Sequence, residues 1–143
     1  MHAAQAIYDA FVTKVTGLTK TGTNVHKSNP YEIIALPAIN VLLAQDQVQE
    51  HLSSGKTTSK INVVTEVRVK VTGDQIVADL LTIREQIHIA IMADTTLGLS
   101  HVIDCLPTGA TPPEITGDHE TPAATMQIGW EVTYRTSTNN PGV

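Results

Sequence analysis

Near the start of the chain, apolar residues recur at three- and four-residue steps: Ala4, Ile7, Phe11, Val15 and Leu18, with Tyr8 and Val12 beside them. That spacing is one face of an α-helix and predicts a helix over residues 3–18, with Asp9 and Lys14 turned away. Residues 19–32 break the pattern with Thr21-Gly22-Thr23-Asn24 and Ser28-Asn29-Pro30, which reads as a loop. From Pro37 the period changes to two. Ile39, Val41 and Leu43 alternate with Ala38, Asn40 and Leu42, a strand apolar enough to be covered on both faces or to lie near a subunit contact.

Residues 45–60 are polar, centred on Ser53-Ser54-Gly55-Lys56-Thr57-Thr58-Ser59. The composition cannot build a core, so the reading is a mobile hairpin arm between two strands. The clearest alternation follows. Ile61, Val63, Thr65, Val67, Val69 and Val71 share one face of a strand, opposite Asn62, Glu66, Arg68 and Lys70. Gly73-Asp74 ends it, and Ile76, Leu80, Ile83, Ile87 and Ile91 mark a second helix over about residues 75–93, with Asp74 as its expected N-cap.

A short strand is expected over residues 100–106, then a loop over 107–122 rich in Pro, Thr and Gly. A last strand over 125–135 has Met126, Ile128, Trp130, Val132 and Tyr134 on one face. The tail, residues 136–143, should be loose. The expected architecture is therefore a single α+β domain over residues 1–143. It is a two-layer α/β sandwich: a mainly antiparallel four-stranded sheet with two helices on one face, in the order α-β-β-α-β-β.

Composition narrows the chemistry. With 143 residues the chain can bury a core without staples. A net charge of −5 argues against a protein whose main work is neutralising phosphate, and 3% aromatic residues leave little surface for stacking on bases or sugars. The one cysteine, Cys105, excludes an intramolecular disulfide and a thiolate cluster, and its apolar neighbours suggest a buried, inert thiol. No apolar run approaches the ~20 residues of a membrane span, and the start lacks the pattern of a secretory signal, so a soluble cytosolic product is expected.

Candidate chemistry is sparse. The six histidines, His2, His26, His51, His88, His101 and His119, are scattered, and no two stand one helical turn apart. Glu85 and His88 do stand one turn apart, but the second such pair that a di-iron or di-manganese site needs is missing. Asp118-His119-Glu120 lies in a loop where nothing rigid would position it. No G-x-S-x-G elbow and no phosphate-binding glycine loop occurs. Ser54-Gly55-Lys56-Thr57 imitates the end of one without its first glycine. Lys56, Lys60, Arg68 and Lys70 form a small basic cluster with Glu66 among them, which reads first as a solvated strand face. The sequence supports no catalytic residue, no metal ligand and no cofactor. A polar arm and strands that need covering are features of a subunit in an assembly.

The ordered pattern resembles the tail terminator proteins of long-tailed bacteriophages. The match runs through the first helix, the proline-started strand Leu36-Pro37-Ala38-Ile39-Asn40-Val41, the polar arm, the long alternating strand, the second helix and the closing strand near Val132-Thr133-Tyr134. The resemblance implies a structural role at the head-proximal end of the virion tail, assembled in the host bacterial cytoplasm. Subunits of that family form a hexameric ring on the tail tube, end its polymerisation and present the surface that joins the head connector. The implied partners are other copies of the chain, the tail tube protein and a head-connector or head-completion protein. DNA would pass through the lumen without specific binding, and no membrane is involved. Contacts with the tube or connector are expected in the arm, at Gln45, Gln47, Glu50, Ser53, Lys56 and Lys60. Packing between subunits is expected at Ile39, Val41 and Leu43. The alternatives are another neck protein (head-closure or tail-completion), a small metal-dependent enzyme or ligand-binding domain using Glu85, His88 and His101, and a nucleic-acid-binding accessory factor, which the charge and the scarcity of aromatic residues disfavour.

Overall fold

The structure, a computed structural model, describes residues 1–30, 35–71, 73–116 and 122–143. The chain runs α1 (Ala3–Val15), β1 (Val25–Lys27), β2 (Ala38–Leu52), β3 (Lys56–Lys70), α2 (Ile76–Met92), β4 (Val102–Ala110), β5 (Glu114–Thr116) and β6 (Ala123–Ser137). The α+β class and the helix-covered sheet stand. Among the described residues the sheet has six strands and not four, in the order β1-β2-β3-β6-β4, with β5 also paired to β6. The two unexpected strands are three residues each and lie where loops were expected, because so short a strand leaves no period to read. All pairings are antiparallel except β1 with β2.

The register explains the core. Opposite one another on β3 and β6 stand Ile61 and Val132, Val63 and Trp130, Thr65 and Ile128, and Val67 and Met126. All are buried, and they share one face of the sheet. The helices cover that face, α1 over β1 and β2, and α2 over β3, β6 and β4. Ile7, Phe11 and Val15 of α1 and Leu80, Ile83, Ile87 and Ile91 of α2 supply the other half of the core. These are the apolar stripes that helical spacing marks.

Trp130 sits at the centre with no exposed surface. Its ring centroid lies 6.2 Å from Phe11 and 5.8 Å from His88. Its indole N–H donates to Thr65 Oγ1 at 3.1 Å, and that hydroxyl leans toward Ile128 O at 3.4 Å. A buried polar atom on each partner is thereby matched within the core, which is why a threonine can stand among valines on that face.

Four further expectations are corrected. Helix α1 ends at Val15 rather than 18. Thr16 and Gly17 turn the chain out, Gly17 at φ +91, a region that glycine enters without steric cost. Asp74 does not cap α2, which begins through a 3₁₀ turn at Gly73–Gln75 with no side-chain bond to its first amides. The tail is tied down and not loose: Ala3 N donates to Pro141 O at 2.9 Å and Val143 N to Met1 O at 2.8 Å. The fourth correction concerns the arm.

Candidate assembly surfaces

Residues 45–60 form the distal part of a β2–β3 hairpin that is built into the sheet. β3 pairs with β6 all the way to its start, Lys56 opposite Ser137 and Lys60 opposite Thr133. Side chains reinforce that ladder. Tyr134 donates its hydroxyl to Asp46 Oδ2 at 2.6 Å, Arg135 Nε donates to Thr58 Oγ1 at 3.1 Å, and the Thr57 and Thr138 hydroxyls are 2.9 Å apart. At the tip, Gly55 takes φ +80 and its carbonyl accepts from Thr138 N at 2.8 Å. Thr57, Thr58 and Ser59 are buried.

Composition misleads here because threonine and serine suit strands when a ladder is present to satisfy the backbone. Two β-bulges hide the alternation as well. They fall between Leu43 and Asp46 and between Val48 and Glu50. Each inserts a residue and shifts the phase, so the core-facing series of β2 runs Ile39, Val41, Leu43, then Asp46 and Val48, then His51. No fixed period of two describes it.

The proposed contact residues separate into three groups. Ile39 and Val41 lie in this chain's own core with no exposed surface. Their side chains are therefore not free to pack on a neighbour. Asn40 is buried from the other side, its amide donating to Asn29 O and its Oδ1 accepting from Asn29 N, both at 2.9 Å. The strand's apolar character is thus accounted for within one chain. Leu43 shares the face of Ile39 and Val41 yet is 45% exposed. Tyr8 of α1 donates its hydroxyl to the Val41 carbonyl at 2.9 Å. Gln45, Gln47, Glu50, Ser53 and Lys56 are exposed along the hairpin, and Lys60 is half-buried and ion-paired with Glu131 at 3.4 Å.

The outer edge of β2 is the notable backbone feature. β1 pairs with it only from Ile39 to Val41. From Leu42 to Leu52 that edge has no strand partner among the described residues. Unpaired edges of this length are sites of association unless blocked. At the other end of the sheet β4 carries Pro107 and exposes Ile103 and Leu106.

The remaining chemistry resolves into structural contacts. Arg68 and Glu66 form an ion pair at 2.6 Å on the helix-free face, and Gln127 Nε2 donates to Glu66 Oε2 at 3.1 Å, so with Lys60 and Glu131 two of the four cations of the basic cluster are matched by carboxylates. The His88 ring lies tilted against Trp130, while His101 lies edge-on to Tyr134 with Nε2 3.3 Å from Ala3 O. The structure does not bring these two histidines and Glu85 together as a ligand set. Among the described residues no three His, Cys, Asp or Glu side chains are placed to hold one metal ion. Asp118, His119 and Glu120 lie outside the described residues.

The perturbed titrations also have structural causes. Burial, followed by the charge of Asp104, pushes the Cys105 thiol up to about 12. Burial and the bond to Asp46 raise Tyr134 further above its ordinary range. Thr96, through its hydroxyl and its amide, lowers Asp94 in the turn after α2. No described helix is long and apolar enough to cross a membrane.

No protein-family model matches the chain, and no curated protein matches it. Among solved structures it is similar to a chain in the virion of a native gene transfer agent particle. The two are 10% identical, with a TM-score of 0.50, and the likeness covers 94% of this chain and 96% of that one. At that identity the likeness is one of fold.

Proposed function

We propose that this chain is a structural subunit of a phage-like virion and, within it, the tail terminator. It forms a ring, six-membered in the family it resembles, that caps the head-proximal end of the tail tube. The cap ends tube polymerisation and offers the surface that joins the head connector. The observation that supports this reading is the fold likeness. Its counterpart belongs to a virion particle, and it extends over nearly the full length of both chains, so no large part of this fold needs a separate explanation.

The role is structural and not catalytic. A catalytic cleft gathers perturbed acids and bases where substrate can reach them. Here one raised group is a thiol in the core, and the other, the Tyr134 phenol, lines a cleft of about 310 Å³ with His2, Asp46 and His51, where its bond to Asp46 ties β6 to β2. The partners are further copies of the chain, the tail tube protein and a head-connector protein. DNA slides through the lumen unbound, since a subunit of net charge −5 repels it at long range.

The test adds purified chain to polymerising tail tube protein and examines tube length and ends by electron microscopy. Short tubes with a density on one end are the expected result. Tubes that lengthen unchanged, with the chain free in solution, overturn the terminator role. Binding to the head connector without binding to tubes supports the head-closure alternative instead.

A further inference from the structure

Large exposed apolar side chains are not scattered over this molecule. Away from the termini, those among the described residues fall on two opposite sides of the sheet. One side is the β2 end of the sheet, where Leu43 and Val48 stand beside the free edge on the helix-covered face. The other carries Val77, Leu81 and Ile89 on α2, Ile103 on β4 and Ile115 on β5, with Leu106 at the same edge but turned to the helix-free face opposite Glu131. The surfaces between are polar and bonded within the chain. Gln5 donates to Asp9 on the outside of α1, and Glu66 with Arg68, and Lys60 with Glu131, occupy the helix-free face.

The position of the α2 residues follows from helix geometry. Asp79 and Gln86 contact Lys20, at 3.4 Å and 3.0 Å, and mark the flank beside α1. At about 100° per residue, Val77, Leu81 and His88 lie on the opposite flank, with Ile89 on the crest next to them. Since α1 rests on β1 and β2 while α2 rests on β3, β6 and β4, that flank faces the β4 side. A shallow cleft of about 410 Å³ lies there, lined by Leu81, Arg84, Glu85, His88 and Ile89.

We infer that these two sides are the two halves of one contact, and that the occupant of each is the other side of a second copy of this chain. Patches that differ from each other and lie at opposite ends of one sheet make a heterologous, head-to-tail contact, the kind that closes into a ring or runs on as a filament. The free edge, residues 42–52, spans roughly 35 Å at ~3.3 Å per residue, long enough for an interface of ordinary size. Charge agrees in sign: Arg84 on the α2 side and Glu50 on the hairpin are each without an ion pair among the described residues. Pro107 withholds a backbone donor from β4, so apolar side chains and the α2 flank make the contact in place of a sheet continued along all of β4. The inference deepens the ring reading and rests on it only in requiring self-association.

The test uses two variants of the whole chain, each altered at exposed positions so that the fold is retained. One is Leu81→Asp with Ile89→Asp, and the other is Leu43→Asp with Val48→Asp; thermal melting checks that both remain folded. By native mass spectrometry across a concentration series, each variant alone should be monomeric, its self-affinity weakened on the order of 100-fold. Mixed in equal amounts, they should form a one-to-one heterodimer and nothing larger, because each keeps the half that the other has lost. A folded variant that assembles like the unaltered chain overturns the inference. So does a mixture that stays monomeric, or an unaltered chain that is monomeric up to about 1 mM. Folded variants that still self-associate and still cap tubes would sink the inference and spare the terminator role. Head-to-tail oligomers that leave tubes uncapped would do the reverse.

Discussion

Thr65 carries no exposed surface and accepts the indole N–H of Trp130, the largest wholly buried side chain of the core among the described residues. Alternation along residues 61–71 already places Thr65 on the apolar face, but not why a hydroxyl belongs there. The answer is its partner 65 residues away in sequence. Thr65→Val keeps the shape and leaves the indole N–H buried without an acceptor, and should cost about 1–3 kcal/mol of stability in urea unfolding. Cys105 is the opposite case. Its burial was legible from its apolar neighbours, and the structure adds the cause of its inertness, a thiol whose ionisation is pushed up to about 12.

At the level of elements, the β2–β3 hairpin is where the reading of the sequence departs furthest from the fold. As a mobile arm it would be dispensable, and deleting Ser53 to Ser59 would leave the melting temperature unchanged. In the structure that deletion removes Thr57, Thr58 and Ser59 from between β2 and β6, together with their bonds to Thr138 and Arg135. Thermal melting should therefore fall by several degrees or more, about what a loss of 1–3 kcal/mol produces in a domain of this size. The Tyr134–Asp46 bond pins the first bulge of β2 to β6. Tyr134→Phe should cost about 1–2 kcal/mol at neutral pH. It should also change the alkaline limb of stability. The folded state holds the phenol proton more tightly than the unfolded chain, so the stabilisation is complete below pH 10.0, the ordinary ionisation point, and is lost progressively above it. Urea unfolding of both proteins from pH 8 to about 11 should give a shallower decline for Tyr134→Phe. Equal slopes would mean that Tyr134 does not titrate differently on folding.

For the whole molecule, one core ties the two helices to four of the strands. Ile39 and Val41, Val67 and Val69, Met126 and Cys105 all belong to the cluster that α1 and α2 cover. A defect at its middle should therefore be felt everywhere. Val67 has no exposed surface and stands opposite Met126. Val67→Asp places a charge there with no partner among the described neighbours and should unfold the domain, read as loss of cooperative melting and of soluble expression. A soluble variant with unchanged melting would show that the face assigned to the core is the outer one.

Local order along the chain is sufficient for both helices, for the long strands β3 and β6, and for the face each of them buries. Burial repeats every 3.6 or every two residues, and a period survives in one dimension. Sequence order alone is not sufficient for the short strands β1 and β5, the built-in hairpin or the tied tail, since each depends on a partner distant in sequence. A bulge erases the period, a three-residue strand is too short to show one, and a polar segment becomes a strand only because β6 lies alongside it. The same limit applies to the surface. Leu43 and Val48 read as part of a strand, and Leu81 and Ile89 as part of a helix. Only the packing of α1 against β2 and of α2 toward β4 leaves them exposed on opposite sides of the sheet, because exposure is set by what the rest of the chain fails to cover.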